Sequence, residues 1–173
     1  MGDLSRLPHH LDTRAATCRV VIETPKGRRS KYSYDPETQA FALKRLLPDG
    51  MSFPLDFGFI PSTKAEDGDP LDILVLNDEP AAVGALVEVR LLGVIEAEQT
   101  QDGKTIRNDR VLAVAQASFL FAKVETVGDL GEALMRNLTQ FWVNYDALRG
   151  VEFKVLAVKG PERAVELIGE AKA

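Results

Sequence analysis

Four apolar residues in unbroken succession, Ile73-Leu74-Val75-Leu76, begin directly after a turn that carries three aspartates, Asp67, Asp69 and Asp72. An extended segment points successive side chains to opposite faces. A short run that is apolar throughout therefore reads as a strand covered on both sides. The chain must bury this strand while three carboxylates crowd its mouth on a turn made by Gly68 and Pro70. Like charges so close together repel, and cations or solvent must compensate them.

The segments around this strand are short and β-like. Arg19 to Thr24 is β-branched, Pro25 to Ser30 is a basic turn, and Lys31 to Asp35 reads as a returning strand. After a turn at Asp35-Pro36-Glu37-Thr38, Ala40 to Leu47 completes what the spacing predicts to be a β-meander. Met51 to Ile60 is irregular and aromatic, and its Phe53, Phe57 and Phe59 are expected in the core. Leu86 to Ile95 predicts a long strand bent near Gly93, Gln99 to Asn108 a polar loop, and Val111 to Ala115 another buried strand. The period then changes. Leu134, Leu138, Phe141, Trp142, Tyr145 and Leu148 recur at helical spacing between a cap at Asp129 and a stop at Gly150. Phe153 to Val158 reads as a strand, and Pro161 opens a last helix with Ala164, Leu167 and Ile168 on one face. The first 17 residues predict an arm or short helix, and His9-His10 reads as a surface pair because adjacent side chains diverge. The pattern is that of one α+β domain with a barrel, its helices late in the chain.

The 173 residues carry a net charge of −5, which disfavours nucleic acid and anionic membrane as partners. No apolar run reaches the roughly 18–20 residues of a membrane span. The single cysteine, Cys18, forms no internal disulfide and is expected as a buried apolar side chain in a reducing, cytoplasmic protein.

Asp67, Asp69 and Asp72 are hard oxygen donors suited to Mg²⁺ or Mn²⁺. The spacing is not that of a calcium-binding EF-hand, because Leu71 and Asp72 stand where that loop needs an oxygen donor and a glycine. The basic residues Lys26, Arg28, Arg29, Lys31 and Arg45 read either as a solvated hairpin face or as the cationic half of a site. If the hairpin brings Lys31 and Arg45 opposite the acidic turn, the arrangement suits a phosphoryl group. No nucleophilic serine or cysteine motif, P-loop or GxGxxG is present.

Taken in order, Ile22-Glu23-Thr24-Pro25-Lys26-Gly27, Lys31-Tyr32, Arg45-Leu46-Leu47, Phe53-Pro54, Phe57-Gly58-Phe59-Ile60-Pro61 and Asp67-Gly68-Asp69-Pro70-Leu71-Asp72 resemble the soluble family I inorganic pyrophosphatases. The similarity runs from about residue 19 to the helix of Tyr145. It implies a single domain over residues 1–173, an OB-like five-stranded β-barrel with flanking helices, mainly C-terminal. It implies an inorganic diphosphatase, hydrolysing pyrophosphate to two phosphates by metal-activated water, with Mg²⁺ or alternatively Mn²⁺. Asp67 and Asp72 would be metal ligands supported by Glu23. Asp69 would activate the water, and Lys31, Arg45 and Tyr145 would hold the phosphates. A homo-oligomer is implied as well. Two other readings stay open: the same machinery acting on another phosphate compound, and a non-catalytic relative that binds phosphate or a partner protein.

The chain also departs from the family pattern. Ser33 stands for a glutamate, Phe53 and Phe57 for tyrosines, and Asp56 for an asparagine. Gln99 and Asn108 stand for two metal-binding aspartates, Arg110 for a lysine and Asp146 for another. Amides bring a dipole to Mg²⁺ where carboxylates bring a charge. A divergent member that holds fewer metals, or holds them less tightly, is therefore expected, with weakened activity. Asp102 and Asp109 lie in the same loop as candidate partial substitutes, although neither matches the motif cleanly.

Overall fold

A computed structural model describes residues 2–173. Five strands close into a ring. They are β1 (Thr17–Thr24), β4 (Asp56–Phe59), β5 (Asp72–Leu76), β8 (Arg110–Ala115) and β6 (Leu86–Gln101), and β6 pairs back onto β1. The β5–β8 pairing is parallel and the others in the ring are antiparallel. This is the expected five-stranded barrel. β7 (Lys104–Arg107) and β9 (Glu152–Lys159) extend it by pairing with β6. β2 (Ser30–Asp35) and β3 (Ala40–Leu46) form a separate two-stranded sheet. The expected meander is thus broken: the ring partners of β1 are β4 and β6, and the hairpin forms its own sheet, tied to β1 through the side chains of Thr24 and Glu23.

The unbroken apolar run behaves as its sequence requires. Ile73 and Val75 enter one core with Val20, Ile22, Val111, Ala113 and helix α2 (Pro161–Glu170). Leu74 and Leu76 enter a second with Phe53, Phe57, Leu112 and helix α1 (Glu132–Ala147). Burying such a side chain stabilises by about 1.5–3 kcal/mol, so both faces of β5 contribute. Cys18 is fully buried in the first core, and burial pushes its thiol up to about 12.

Two glycines permit the closure. A Cβ on Gly58 would fall on the Val21 carbonyl across the β1–β4 pair. Gly93 has φ +153 and sits at a register shift of the β6–β8 pairing, the predicted bend. The stretch Gln99 to Asn108 is not a loop: β6 continues to Gln101 and returns through β7. Its alternating threonines and long polar side chains suit an exposed hairpin. Asp129 does not cap α1: it lies inside a 3₁₀ turn, Val127–Leu130, where its Oδ2 accepts the Thr126 N–H at 2.9 Å, and Gly131 precedes α1. The N-terminal arm holds a 3₁₀ turn at Leu4–Arg6. His9 turns its ring onto its own arm, where Nδ1 accepts the Leu11 N–H at 3.2 Å.

Candidate active site

The acidic turn is held by its own hydrogen bonds. The Asp69 N–H donates to Asp67 Oδ1 at 3.0 Å, and the Ala65 N–H to the Asp69 carbonyl at 2.7 Å. Gly68, at φ +92, takes a backbone conformation that favours glycine. The Leu71 N–H donates to Thr63 Oγ1 at 2.9 Å, fixing the turn to the barrel. Asp72 then opens β5 beside Arg110, its parallel partner at the start of β8. The register alone therefore brings their side chains together, 2.7 Å apart.

Glu23 stands at a register shift between Ile22 and Thr24, a bulge that re-aims its side chain. Its Oε1 accepts the Tyr34 N–H at 2.7 Å. Burial pushes its carboxyl up to about 7, Asp72 and Asp69 add to that, and Lys31 and the Tyr34 N–H oppose it. Asp69 is also raised, by burial and by Asp67, against the pull of Lys31. Asp72 is raised by burial, with Arg110 and Lys31 opposing. Among the described residues, Asp67 and Asp69 make no ion pair, whereas Asp72 has Arg110.

Lys31 and Arg45 face each other across the β2–β3 hairpin. Residues directly opposite in an antiparallel pair share a face. Lys31 Nζ lies 5.6 Å from the ring centres of both Phe57 and Tyr145, and Arg45 Cζ lies 5.1 Å from that of Tyr145. Tyr145 and Trp142, one turn apart on α1, hold their rings 5.2 Å apart. Phe53 and Phe57 complete this aromatic floor. The rest of the basic hairpin goes elsewhere. Lys26 and Arg28 line another cleft, and Arg29 pairs with Asp49 at 2.5 Å.

A cavity of about 800 Å³ is lined by Lys31, Arg45, Asp67, Asp69, Asp72 and Tyr145, and also by Gln99, Asn108, Arg110 and Trp142. A second cavity of about 940 Å³ shares Lys31, Asp69 and Asp72 with it and adds Glu23. Six of the seven expected site residues thus meet on one cavity and Glu23 on its neighbour. Among the described residues, four buried side-chain polar atoms lack a hydrogen-bond partner: Arg45 Nη1, Arg110 Nε, Trp142 Nε1 and Tyr145 Oη. All four belong to residues lining the first cavity. A buried donor without a partner costs about 1–3 kcal/mol. Their concentration in one place marks a site for a ligand rich in acceptors.

Among the described residues, no three His, Cys, Asp or Glu side chains close a metal cage by themselves. Mg²⁺ does not need one, because it is commonly held by one or two carboxylates plus substrate phosphates. The acidic turn fits such an ion. The facing wall does not. There Gln99 Nε2 donates to Asp146 Oδ2 at 2.6 Å, Asn108 Nδ2 to Gln99 Oε1 at 2.7 Å, and Arg110 Nη1 to Asn108 Oδ1. Asp109, an expected substitute ligand, is tied away by the Ala97 N–H at 2.9 Å and the Arg107 guanidinium at 3.0 Å. Asp102 lines the cavity from the hairpin tip. Sequence reasoning marked Arg110 and Asp146 only as departures and gave Trp142 no role beyond the helix face. The signal for the first two was the pairing of a charge-reversed Asp146 with two uncharged amides.

The family model for inorganic pyrophosphatase matches residues 20–173. The chain belongs to the inorganic pyrophosphatase family. An inorganic pyrophosphatase from Thermus thermophilus is 38% identical over 160 residues, covering 92% of this chain and 89% of that protein. One from Methanosarcina acetivorans is 34% identical, covering 89% of each. Among solved structures, the inorganic pyrophosphatase from Thermus thermophilus superposes with a TM-score of 0.89 at 35% identity, covering 98% of this chain and 97% of the other. That from Neisseria gonorrhoeae gives 0.87 at 29% identity, covering 98% and 96%. The family's barrel, with its late helices, is the fold described above.

Proposed function

We propose that this chain is an inorganic diphosphatase that hydrolyses pyrophosphate to two phosphates with a divalent cation, Mg²⁺ first and Mn²⁺ as an alternative. The observation that carries the reading is the set of four partnerless buried polar atoms on residues lining a cavity that the acidic turn also lines. Three of the four are obligate donors and the fourth, the Tyr145 hydroxyl, can donate. A pyrophosphate offers only acceptors.

Asp67 and Asp72 would hold the cation, with Glu23 behind them. A bound divalent ion would neutralise phosphate oxygens and lower the pKa of water in its reach. Asp69 acts as the base: burial and Asp67 raise its carboxyl, which strengthens its hold on a proton taken from water. Lys31 and Arg45 neutralise the leaving phosphate, and the Tyr145 hydroxyl donates to it. The aromatic floor of Phe53, Phe57 and Trp142 keeps water from one side of this cavity.

The family match favours pyrophosphate over another phosphate compound, and over a non-catalytic role. The protein would act as one domain and as a homo-oligomer. Phe119 and Leu120, 89% and 75% exposed, are apolar surface available to a second copy. The lone buried Cys18 suits the cytoplasm. The decisive test is phosphate release from pyrophosphate with Mg²⁺ and with Mn²⁺, against nucleotides and phosphomonoesters. Pyrophosphate is expected to be turned over and the others spared. Absence of pyrophosphate turnover with either ion would overturn the proposal.

A further inference from the structure

The wall that faces the acidic turn is a continuous chain of hydrogen bonds ending in an ion pair. It starts at Asp146 on α1, passes through the amides of Gln99 and Asn108, and reaches Arg110. Arg110 Nη1 then meets Asp72 Oδ2 at 2.7 Å. The side-chain carbonyl oxygen is the only atom by which either amide can ligate a cation. Both oxygens accept a hydrogen bond within the chain. The guanidinium is 3% exposed and lies 4.4 Å from the Trp142 ring centre and 5.7 Å from that of Phe153. A buried cation held over an aromatic face and bonded to a fixed amide is pre-organised rather than mobile. Asp146 is compensated in turn by Arg149 at 3.5 Å.

We propose that Arg110 is a built-in cation that takes the place of one divalent ion at Asp72. The inference rests on the reading of the acidic turn as metal-binding. One positive charge already sits on Asp72, so a divalent ion reaching that carboxylate must displace a guanidinium or share with it. The turn then offers Asp67 and the other oxygen of Asp72, Oδ1, to a single ion, with Asp69 left as the base. The Nε–H of Arg110, which has no partner among the described residues, is left for an anion in the cavity.

Mn²⁺ binding to the substrate-free protein, counted by the loss of the free-ion paramagnetic resonance signal, tests this directly. Arg110→Gln removes the charge and should bind Mn²⁺ at least about tenfold more tightly than wild type, or bind one ion more per chain, since a unit charge at contact distance is worth that much or more. The same variant leaves Asp72 unpaired, so Mn²⁺ should raise its melting temperature more than it raises that of wild type. Arg110→Met keeps the aliphatic packing against the Trp142 and Phe153 rings without the charge, carries the test if Arg110→Gln does not fold, and should tighten Mn²⁺ binding in the same way. Unchanged affinity, stoichiometry and Mn²⁺-induced melting shift in the folded variants would overturn the proposal. Asp67→Asn separates the two readings. It should weaken wild-type Mn²⁺ binding, and binding indifferent to it would overturn the metal reading of the turn itself.

Discussion

The two walls of the cavity use polar residues in opposite ways. On the acidic turn, desolvation and neighbouring acids raise the carboxyls of Asp69 and Asp72, with Lys31 opposing both and Arg110 opposing at Asp72 alone. On the facing wall, Asp146 is fully buried, and its carboxyl is also raised by burial. Yet it is answered by Arg110, the Gln99 amide and Arg149. Both walls are anchored to the same barrel. Asp67 and Asp69 keep their compensation outside the protein, whereas Asp72 and Asp146 are both answered from inside it by Arg110. A catalytic wall must be incomplete without its ligand, and a structural wall must not.

The largest expected effect lies on the incomplete wall. Asp69→Asn removes the proposed base and should lower kcat for pyrophosphate by about 10²–10⁴-fold, the usual worth of a positioned acid–base group. Retention of full activity would mean that the measured turnover comes from another site or another protein.

Glu23 probes the same wall through stability. Its carboxyl is held at about 7 in the folded chain against an ordinary 4.5. The folded state therefore binds more protons than the unfolded one between these values, and stability falls as pH rises from about 4.5 to about 7. At about 1.4 kcal/mol per pKa unit the loss amounts to about 3 kcal/mol. His9, whose pKa is lowered by burial, slopes the other way, so the comparison must be with Glu23→Gln. Denaturant unfolding of the metal-free proteins at pH 5 and pH 7.5 should show wild type losing more stability than the variant. Equal losses would remove Glu23 from the uncompensated set.

Much of the incomplete wall was legible in the sequence, because its elements are contiguous. A turn of Asp67, Gly68, Asp69, Pro70 and Asp72 abutting Ile73-Leu74-Val75-Leu76 declares both the crowding and the buried strand. The pairing of Lys31 with Arg45 was legible only as a conditional, since it depends on the hairpin register. The complete wall was not legible as a unit. Gln99, Asn108, Arg110 and Asp146 come from β6, the entry to β8, β8 and α1, and only the parallel β5–β8 register brings Arg110 to Asp72. The hairpin at Asp102 was taken for a loop because polar strands without a buried face lack the alternation that marks a strand.

On the complete wall the effects should be smaller and should appear in folding. Gln99→Leu leaves the Asp146 carboxylate and the Asn108 amide short of a partner, at a cost of about 1–3 kcal/mol in denaturant unfolding. An unchanged midpoint would mean that the chain of bonds contributes nothing, and the contrast between the walls would collapse.

The smallest expected effect separates the two acids near the hairpin. Asp109 is buried, accepts the Ala97 N–H and pairs with Arg107, so it belongs to the fold. Asp102 lies exposed on the hairpin tip at φ +51 and lines the cavity. An exposed charge at that rim acts on a bound ion only through solvent, where the interaction is heavily screened. Asp102→Asn should therefore raise the Mg²⁺ needed for half-maximal activity by no more than about threefold, a bound set by that screening. A shift beyond about tenfold would be too large for a screened rim charge, since tenfold corresponds to about 1.4 kcal/mol. It would make Asp102 a direct ligand, reached by the hairpin closing over the cavity, and would move a carboxylate from the rim to the wall that Arg110 otherwise completes.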